Sequence, residues 1–399
     1  MRPWNPRDPK YAATWVAAGL LGAGAAALAA GRYATHRALN PARPSGGVPL
    51  PAGFTRAPLV VHEVRPAEEG RPATVALSRS LWSQLPGTYG LAGSGSHAVV
   101  GPPLAPGPGG ASPEVPADVV LRPLERVSHG ELRPGDRVWL TPQVYAGNPR
   151  DALDLDHADV DVPGELGPLP AWFVPGFRST WVLAIHGLGA TREHPMVVLP
   201  TLHGLRLPVL DLARRGDPGA PVGPDAPGRP GSGAWHDVDA ALRYAVAHGA
   251  QRVVLMGWST GAAMALHTAA SSPLRNLVSG LVLDSPVLDW PHTVRALAAQ
   301  HHVPGPLVPW AVRGALSRTR DLTERWEAAA DPGLLTVPTL LLHGPGDEVA
   351  DWHTSLRFAA ARPELVSLQE IPDAPHGAMW NADPAGYQEA LRRFLTPLL

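Results

Sequence analysis

Residues 253–270 read VVLMGWSTGAAMALHTAA: an apolar run, the pentapeptide Gly257-Trp258-Ser259-Thr260-Gly261, and then a string of small residues. In a chain this rich in glycine roughly 0.2 chance matches to G-x-S-x-G are expected, so the neighbours must carry the reading. Val253–Met256 is a short, uncharged run of the kind that forms a strand buried on both faces of a parallel sheet. Ala262, Ala263 and Ala265 let the helix that follows lie close to that sheet. Ser259 then sits at a strand's carboxyl end, where open α/β sheets gather their reactive groups. Side chains at 257 and 261 would collide with the neighbouring strand and helix, which explains both glycines. The helix amino terminus also favours negative charge developing beside Ser259.

The same texture extends both ways. Upstream, Trp181–Ile185 (WVLAI) is a continuous apolar run leading into His186-Gly187-Leu188-Gly189; Asp159–Val162, Ala171–Val174 and Leu207–Leu212 are further strands. Asp237–His248 has helical spacing of Val238, Leu242 and Val246, with Gly249 as its stop. Downstream, Thr339–Leu342 delivers His343-Gly344-Pro345-Gly346-Asp347, and Val366–Ile371 delivers Asp373-Ala374-Pro375-His376-Gly377. A serine hydroxyl needs a base, and the base an orienting carboxylate. Ser259, Asp347 and His376 follow one another in the order of a strand–turn–helix nucleophile with its acid and base, each at a strand end. Asp284, in LVLDSP after another buried strand, is an alternative acid. Asp351 reads as a loop or helix-cap residue. His353 is too near Asp347 to be the favoured base, and His186 and His343 read as backbone-shaping neighbours of the site.

With these pieces in place the chain resembles the α/β-hydrolase superfamily over residues 158–399, through HGLG at 186–189, GWSTG at 257–261, LLLHGPGD at 340–347 and APHG at 374–377. The stretch GLVLDSPVLDW at 280–290 is similar to a bacterial, often membrane-anchored group of these proteins, whereas Thr260 departs from the usual methionine or glutamine. The resemblance implies Ser259 as nucleophile, His376 as general base and then acid, and Asp347 as the residue that holds the imidazole tautomer. It places the oxyanion-hole donors at the N–H groups of Leu188 and Thr260, with His186, Gly187, Gly257 and Gly261 as supporting motif residues. The expected reaction is cleavage of a carboxylic ester, or a thioester or amide, of a small molecule or lipid. The alternative is a catalytically silent hydrolase-like scaffold that binds a partner at the membrane.

The rest of the chain bounds this reading. Apolar residues make up 45% and charged residues 17% of the 399, so a large core is within reach. A net charge of −2 offers no footprint for nucleic acid. With no cysteine, thiolate zinc sites, disulfides and cysteine nucleophiles are excluded. The 17 histidines show no ligand spacing, so neither metal nor cofactor is expected. Oligomeric state is not legible.

Five segments are expected. After a flank at 1–11, residues 12–31 (AATWVAAGLLGAGAAALAAG) carry no charge and are long enough to cross a bilayer. A single-pass anchor is favoured, with a cleaved signal peptide (Ala27-Leu28-Ala29) and a soluble helix as the other readings. Orientation stays open, because Arg32, Arg37 and Arg43 balance Arg2, Arg7 and Lys10. Residues 32–53 form a linker rich in proline and glycine. Residues 54–154 alternate in short runs separated by turns, with Gly93–Ser96 a loop, and read as a small β-rich domain. The α/β-hydrolase fold, with a mostly parallel central sheet, then occupies 155–399. Its apolar excursion at 291–338 is either a cap over the strand ends or a crossover helix with a loop. Trp290, Trp310, Trp326 and Trp352 line a pocket or pack in the core or on the surface.

Overall fold

The computed structural model describes residues 50–54, 57–105, 116–222, 233–318 and 330–399. Two bodies of β-structure follow one another. The first is a closed six-stranded barrel: β1 (Leu59–Arg65), β2 (Thr74–Ser78), β3 (Tyr89–Ala92), β4 (His97–Val100), β5 (Val119–His129) and β6 (Arg137–Thr141). Their spatial order is β1-β2-β5-β4-β3-β6. The long β5 closes it by pairing with β2 through Val119–Pro123 and with β4 from Leu124 onward. Val61, Val75, Leu77, Tyr89, Leu91, Ala98, Val100, Val138 and Leu140 fill its interior, joined by Phe54 and by Ala378 from the far end of the chain. Arg122 is fully buried, yet its guanidinium donates to the carbonyls of Gly101, Ser83, Leu85 and Gly87, which uses four of its five N–H donors and ties down the β2–β3 loop. The expected β-rich domain is thus a barrel. Strands β3 and β4 escape the sequence reading because each is four residues long, too short to show a period; Gly93–Ser96 is the turn between them.

The second body is an eight-stranded sheet in the order β14-β13-β12-β11-β9-β10-β8-β7. The hairpin β7 (Ala158–Gly164) and β8 (Gly167–Val174) forms one antiparallel edge. The six remaining strands are mutually parallel: β9 (Thr180–Ile185), β10 (Val209–Leu212), β11 (Arg252–Trp258), β12 (Val278–Asp284), β13 (Thr339–His343) and β14 (Val366–Glu370). β9, β10 and β11 are buried almost throughout, as strands covered on both faces must be. β10 begins at Val209 rather than Leu207, because Pro208 has no N–H for the ladder. The chain reverses direction across the sheet at β9, which is flanked by β10 on one side and β11 on the other. Crevices at such points open at the strands' carboxyl ends.

Helices cover both faces. Ala234–Ala247 and Thr260–Ser271 pack on one side with Val238, Leu242, Ala262 and Leu266, while Leu199–Gly204 and Pro384–Leu395 cover the other. The excursion after β12 contributes helices Trp290–Gln300 and Val308–Arg318. Its residues Leu297, Ala298 and Val303 cluster with Leu188 and Val349, which follow the carboxyl ends of β9 and β13. Trp290 is buried in the core, Trp352 is largely buried and Trp310 is exposed; Trp326 lies outside the described residues. Asp351 is a helix cap, accepting the N–H groups of His353 and Thr354.

The membrane anchor requires correction. No helix among the described residues is long and apolar enough to cross a membrane. Residues 12–31, on which the expected amino-terminal hydrophobic helix rested, lie outside the described residues. The described fold is therefore a mostly parallel α/β sheet preceded by a β-barrel, without the helix. The membrane-anchored grouping, the membrane partner and the membrane localisation find no support among the described residues.

Candidate active site

β11 ends at Trp258, and the helix Thr260–Ser271 begins two residues later. Between them Ser259 has φ +54 and ψ −119, a left-handed conformation that a non-glycine residue adopts only when its surroundings hold it there. Its N–H donates to the Asp284 carbonyl at 2.9 Å. The flanking glycines are required on contact grounds. A Cβ on Gly257 would lie 2.5 Å from the Ala262 nitrogen, and one on Gly261 would lie 2.1 Å from the Ile185 carbonyl oxygen. Gly187 meets the elbow from the other side, since its Cβ would fall 2.7 Å from the Ser259 Cβ.

The structure brings Ser259, His376 and Asp347 into one hydrogen-bonded line. His376 Nε2 is 2.7 Å from Ser259 Oγ, and His376 Nδ1 is 2.7 Å from Asp347 Oδ2. Asp347 accepts four hydrogen bonds. Oδ1 takes the Val349 and Ala350 N–H groups, both at 2.8 Å, and Oδ2 takes His343 Nε2 at 2.9 Å besides His376. Burial alone would raise this carboxyl, but the His376 and His343 partners outweigh it and hold it well below the usual carboxylate range. It is therefore an anion. His343 is more than a backbone-shaping neighbour: its Nδ1 accepts from the Ser355 hydroxyl at 2.8 Å, which leaves Nε2–H for Asp347. Its position four residues before Asp347 was the available signal, but a strand-end histidine next to glycine has many uses.

Asp284 is buried nearby but points elsewhere. Its Oδ1 accepts the Ser285 hydroxyl at 2.8 Å, and Ser285 Oγ accepts the Gly377 N–H at 3.0 Å. Burial pushes the Asp284 carboxyl up to about 7, against the pull of the Ser285 bond. The Gly377 carbonyl receives His194 Nε2–H at 2.9 Å. Burial pushes His194 down to about 3, so it is neutral. Gly377, the residue after His376, is thus held at both its N–H and its C=O, through Ser285 and His194, which no local pattern singles out.

The loop after β9 has a similar clamp. His186 Nε2 lies 2.7 Å from Asp217 Oδ2, and Arg214 Nη2 donates to the Gly187 carbonyl at 2.9 Å. The Gly187 C=O and the Leu188 N–H share one rigid peptide plane and point in opposite directions. Fixing the carbonyl on Arg214 therefore aims the N–H away from it. Thr260 is the first residue of its helix, so its N–H is among those a helix leaves unsatisfied. Among the described residues no group of three or more His, Asp or Glu side chains is placed to hold a metal ion.

The family described as "Alpha/beta hydrolase family" matches residues 173–398, more than half of the chain. This protein belongs to the alpha/beta hydrolase family. Membership supports hydrolase chemistry in general, without specifying substrate or mechanism, and it replaces the narrower membrane-anchored grouping. The barrel of this hydrolase matches a domain family of unknown function (DUF8805) over residues 60–141. Among solved structures, an esterase of Pyrococcus furiosus is 19% identical with a TM-score of 0.50; the alignment covers 63% of this chain and 94% of that one. A second crystal form of it gives 19% and 0.50, covering 64% and 95%. An esterase of Pyrobaculum calidifontis is 19% identical with a TM-score of 0.45, covering 61% and 87%. At this identity the likeness is one of fold. No curated protein matches the sequence.

Proposed function

We propose that this alpha/beta hydrolase cleaves a carboxylic ester, with a thioester or amide as lesser substrates, through an acyl-enzyme on Ser259. The observation that carries the proposal is the line Ser259 Oγ–His376–Asp347, with both links at 2.7 Å and all three side chains buried. In the first step Ser259 Oγ attacks the ester carbonyl carbon while its proton passes to His376 Nε2. The carbonyl oxygen becomes an oxyanion facing the Leu188 and Thr260 N–H groups. Collapse expels the alcohol, which takes its proton back from His376. Water then gives a proton to His376 and attacks the acyl carbon, releasing the carboxylic acid and restoring Ser259. Asp347 stays ionised, keeps the proton on Nδ1 and stabilises the transient imidazolium. Each oxyanion donor contributes about 10²–10³ in rate. The Pyrococcus furiosus protein of similar fold is an esterase, which agrees with an ester as the first substrate to try.

The test is labelling of the purified protein with an active-site fluorophosphonate, followed by a chain-length series of aryl esters. Label on wild type that Ser259→Ala abolishes, together with ester turnover, is expected. A wild-type protein that takes no label and turns over no ester refutes the proposal.

A further inference from the structure

The segment just ahead of the barrel runs over the catalytic loops. The Phe54 N–H donates to the Pro51 carbonyl at 3.2 Å, closing a turn in which Gly53 has φ +92 and Ala52 has no positive φ. That is the geometry of a type II turn, whose third residue favours glycine. Phe54 anchors the turn in the barrel core, with its ring 5.5 Å from Trp82 and 6.5 Å from Tyr89. At its other end the turn touches two parts of the site. The Ala52 N–H donates to the Leu188 carbonyl at 3.0 Å. Gly53 lies against the base, so close that a Cβ there would fall 2.6 Å from the His376 Cβ and 3.4 Å from Val349 Cγ2.

The barrel grips the same two loops from the side. The Thr88 N–H donates to the Asn381 carbonyl at 2.9 Å, and Asn381 Nδ2 donates back to the Thr88 and Pro142 carbonyls. Gln143 Nε2 donates to Thr191 Oγ1 at 2.7 Å, and the Gly147 N–H to Glu193 Oε1 at 2.9 Å. Ala378, two residues past His376, packs inside the barrel. The loop after β9, carrying Leu188, and the loop after β14, carrying His376, have no backbone ladder between them. One side-chain bond, His194 Nε2–H to the Gly377 carbonyl, joins them, and a body that touches both helps to set their separation.

We infer that Ala52 and Gly53 are positioning residues for the hydrolysis: a strap anchored in the barrel that holds the base and the oxyanion loop at their working distance. The inference rests on the function proposed above. Leu188 is then held on both flanks, its preceding peptide by Arg214 and its following carbonyl by Ala52. Neither Ala52 nor Gly53 lies within residues 173–398, which match the hydrolase family.

Two substitutions in the full-length protein test the strap. Ala52→Pro removes the N–H that reaches Leu188 while placing proline at the second position of a type II turn, where it is favoured. Gly53→Ala forces a methyl group against His376. The control is Gly135→Ala, which imposes the same left-handed strain at φ +90 but has no atom within 4 Å of the added methyl. A misplacement of about 1 Å can cost about 10²-fold in rate. Gly53→Ala should lower kcat by about 10–100-fold and Ala52→Pro by about 5–20-fold, with KM within about threefold of wild type. Gly135→Ala should keep kcat within about twofold, and thermal melting of Ala52→Pro should match wild type. A purely structural strap would lower the melting temperature of Gly53→Ala and Gly135→Ala alike and leave kcat of the folded fraction unchanged; that result overturns the inference. The downfield proton resonance of the His376 Nδ1–H bond to Asp347 gives a readout that needs no turnover. It should shift or broaden in Gly53→Ala and not in Gly135→Ala. If wild type proves inactive, the proposed function fails while this resonance still decides whether the strap positions His376, and an unchanged resonance in Gly53→Ala sinks it.

Discussion

Replacing Asp347 by asparagine changes one atom, and the hydrogen bonds around it define the outcome. Each carboxylate oxygen accepts two N–H groups, from Val349 and Ala350 at Oδ1 and from His343 and His376 at Oδ2. Asparagine offers one oxygen and one NH₂. If the NH₂ faced Val349 and Ala350, two buried backbone donors would lose their acceptor, at about 1–3 kcal/mol each. The amide therefore turns its NH₂ toward the histidines, which can answer by switching tautomer. His376 must then accept at Nδ1 and carry its proton on Nε2, the nitrogen facing Ser259. That nitrogen can no longer take the hydroxyl proton. The wrong tautomer costs about 10⁴ in kcat, or about 5.4 kcal/mol at 1.36 kcal/mol per tenfold. The assay is kcat for an aryl ester alongside the rate of fluorophosphonate labelling, with thermal melting as a check on folding. A folded Asp347→Asn within tenfold of wild-type kcat would refute the assignment of Asp347 as the orienting acid. Asp284→Asn in the same assay should stay within a few-fold, because Asp284 bonds Ser285 and not His376.

Three further outcomes follow from the same contacts. Asp284 has a folded-state pKa of about 7, above its ordinary 3.8, so the folded protein holds a proton that the unfolded chain releases. Its contribution to stability falls as pH rises from 3.8 to about 7 and is level above that. Unfolding by urea at pH 5 and pH 8 should show Asp284→Asn gaining on wild type at the higher pH; an equal difference at both refutes the raised pKa. Arg214→Met removes the donor to Gly187 and takes away the positive charge beside half-buried Asp217. It should lose up to about 10² in kcat, since one oxyanion donor is worth about 10²–10³, and unfold at lower urea; wild-type kcat in a folded variant would show that Gly187 needs no such hold. Gly261→Ala puts a methyl 2.1 Å from the Ile185 carbonyl, a backbone atom that cannot swing aside. Its melting temperature should fall steeply and labelling at Ser259 disappear, and an unchanged melting curve would mean that the elbow is looser than described.

How much was legible in the sequence depended on how far each feature reaches along the chain. Continuous apolar runs at Trp181–Ile185, Val253–Met256 and Thr339–Leu342 are strands in the structure because burial on both faces leaves its mark in the residues themselves. The glycines at 257 and 261 were readable for the same reason, since the collisions they avoid lie within a strand, a turn and a helix. The barrel strands β3 and β4 were not, because four residues are too few for a period. The excursion after β12 could be seen as apolar, but the contact of Leu297 and Val303 with Leu188 depends on where a distant strand ends. The membrane anchor rested on apolar composition at 12–31, and composition alone cannot say what such a segment packs against.

By itself the sequence determined the succession along the chain of the strands of the second sheet, the turn at Ser259 and which kinds of side chain stand at the strand ends. These follow from local periodicity and from the steric needs of single residues. Only the tertiary structure decided which groups meet. It put His376 on Ser259, 117 residues away in the chain, gave one oxygen of Asp347 to two histidines, and laid Gly53 against His376. Hydrogen-bond partners at that separation are chosen by how the sheet and barrel pack, a property of the whole chain that no stretch of it carries alone.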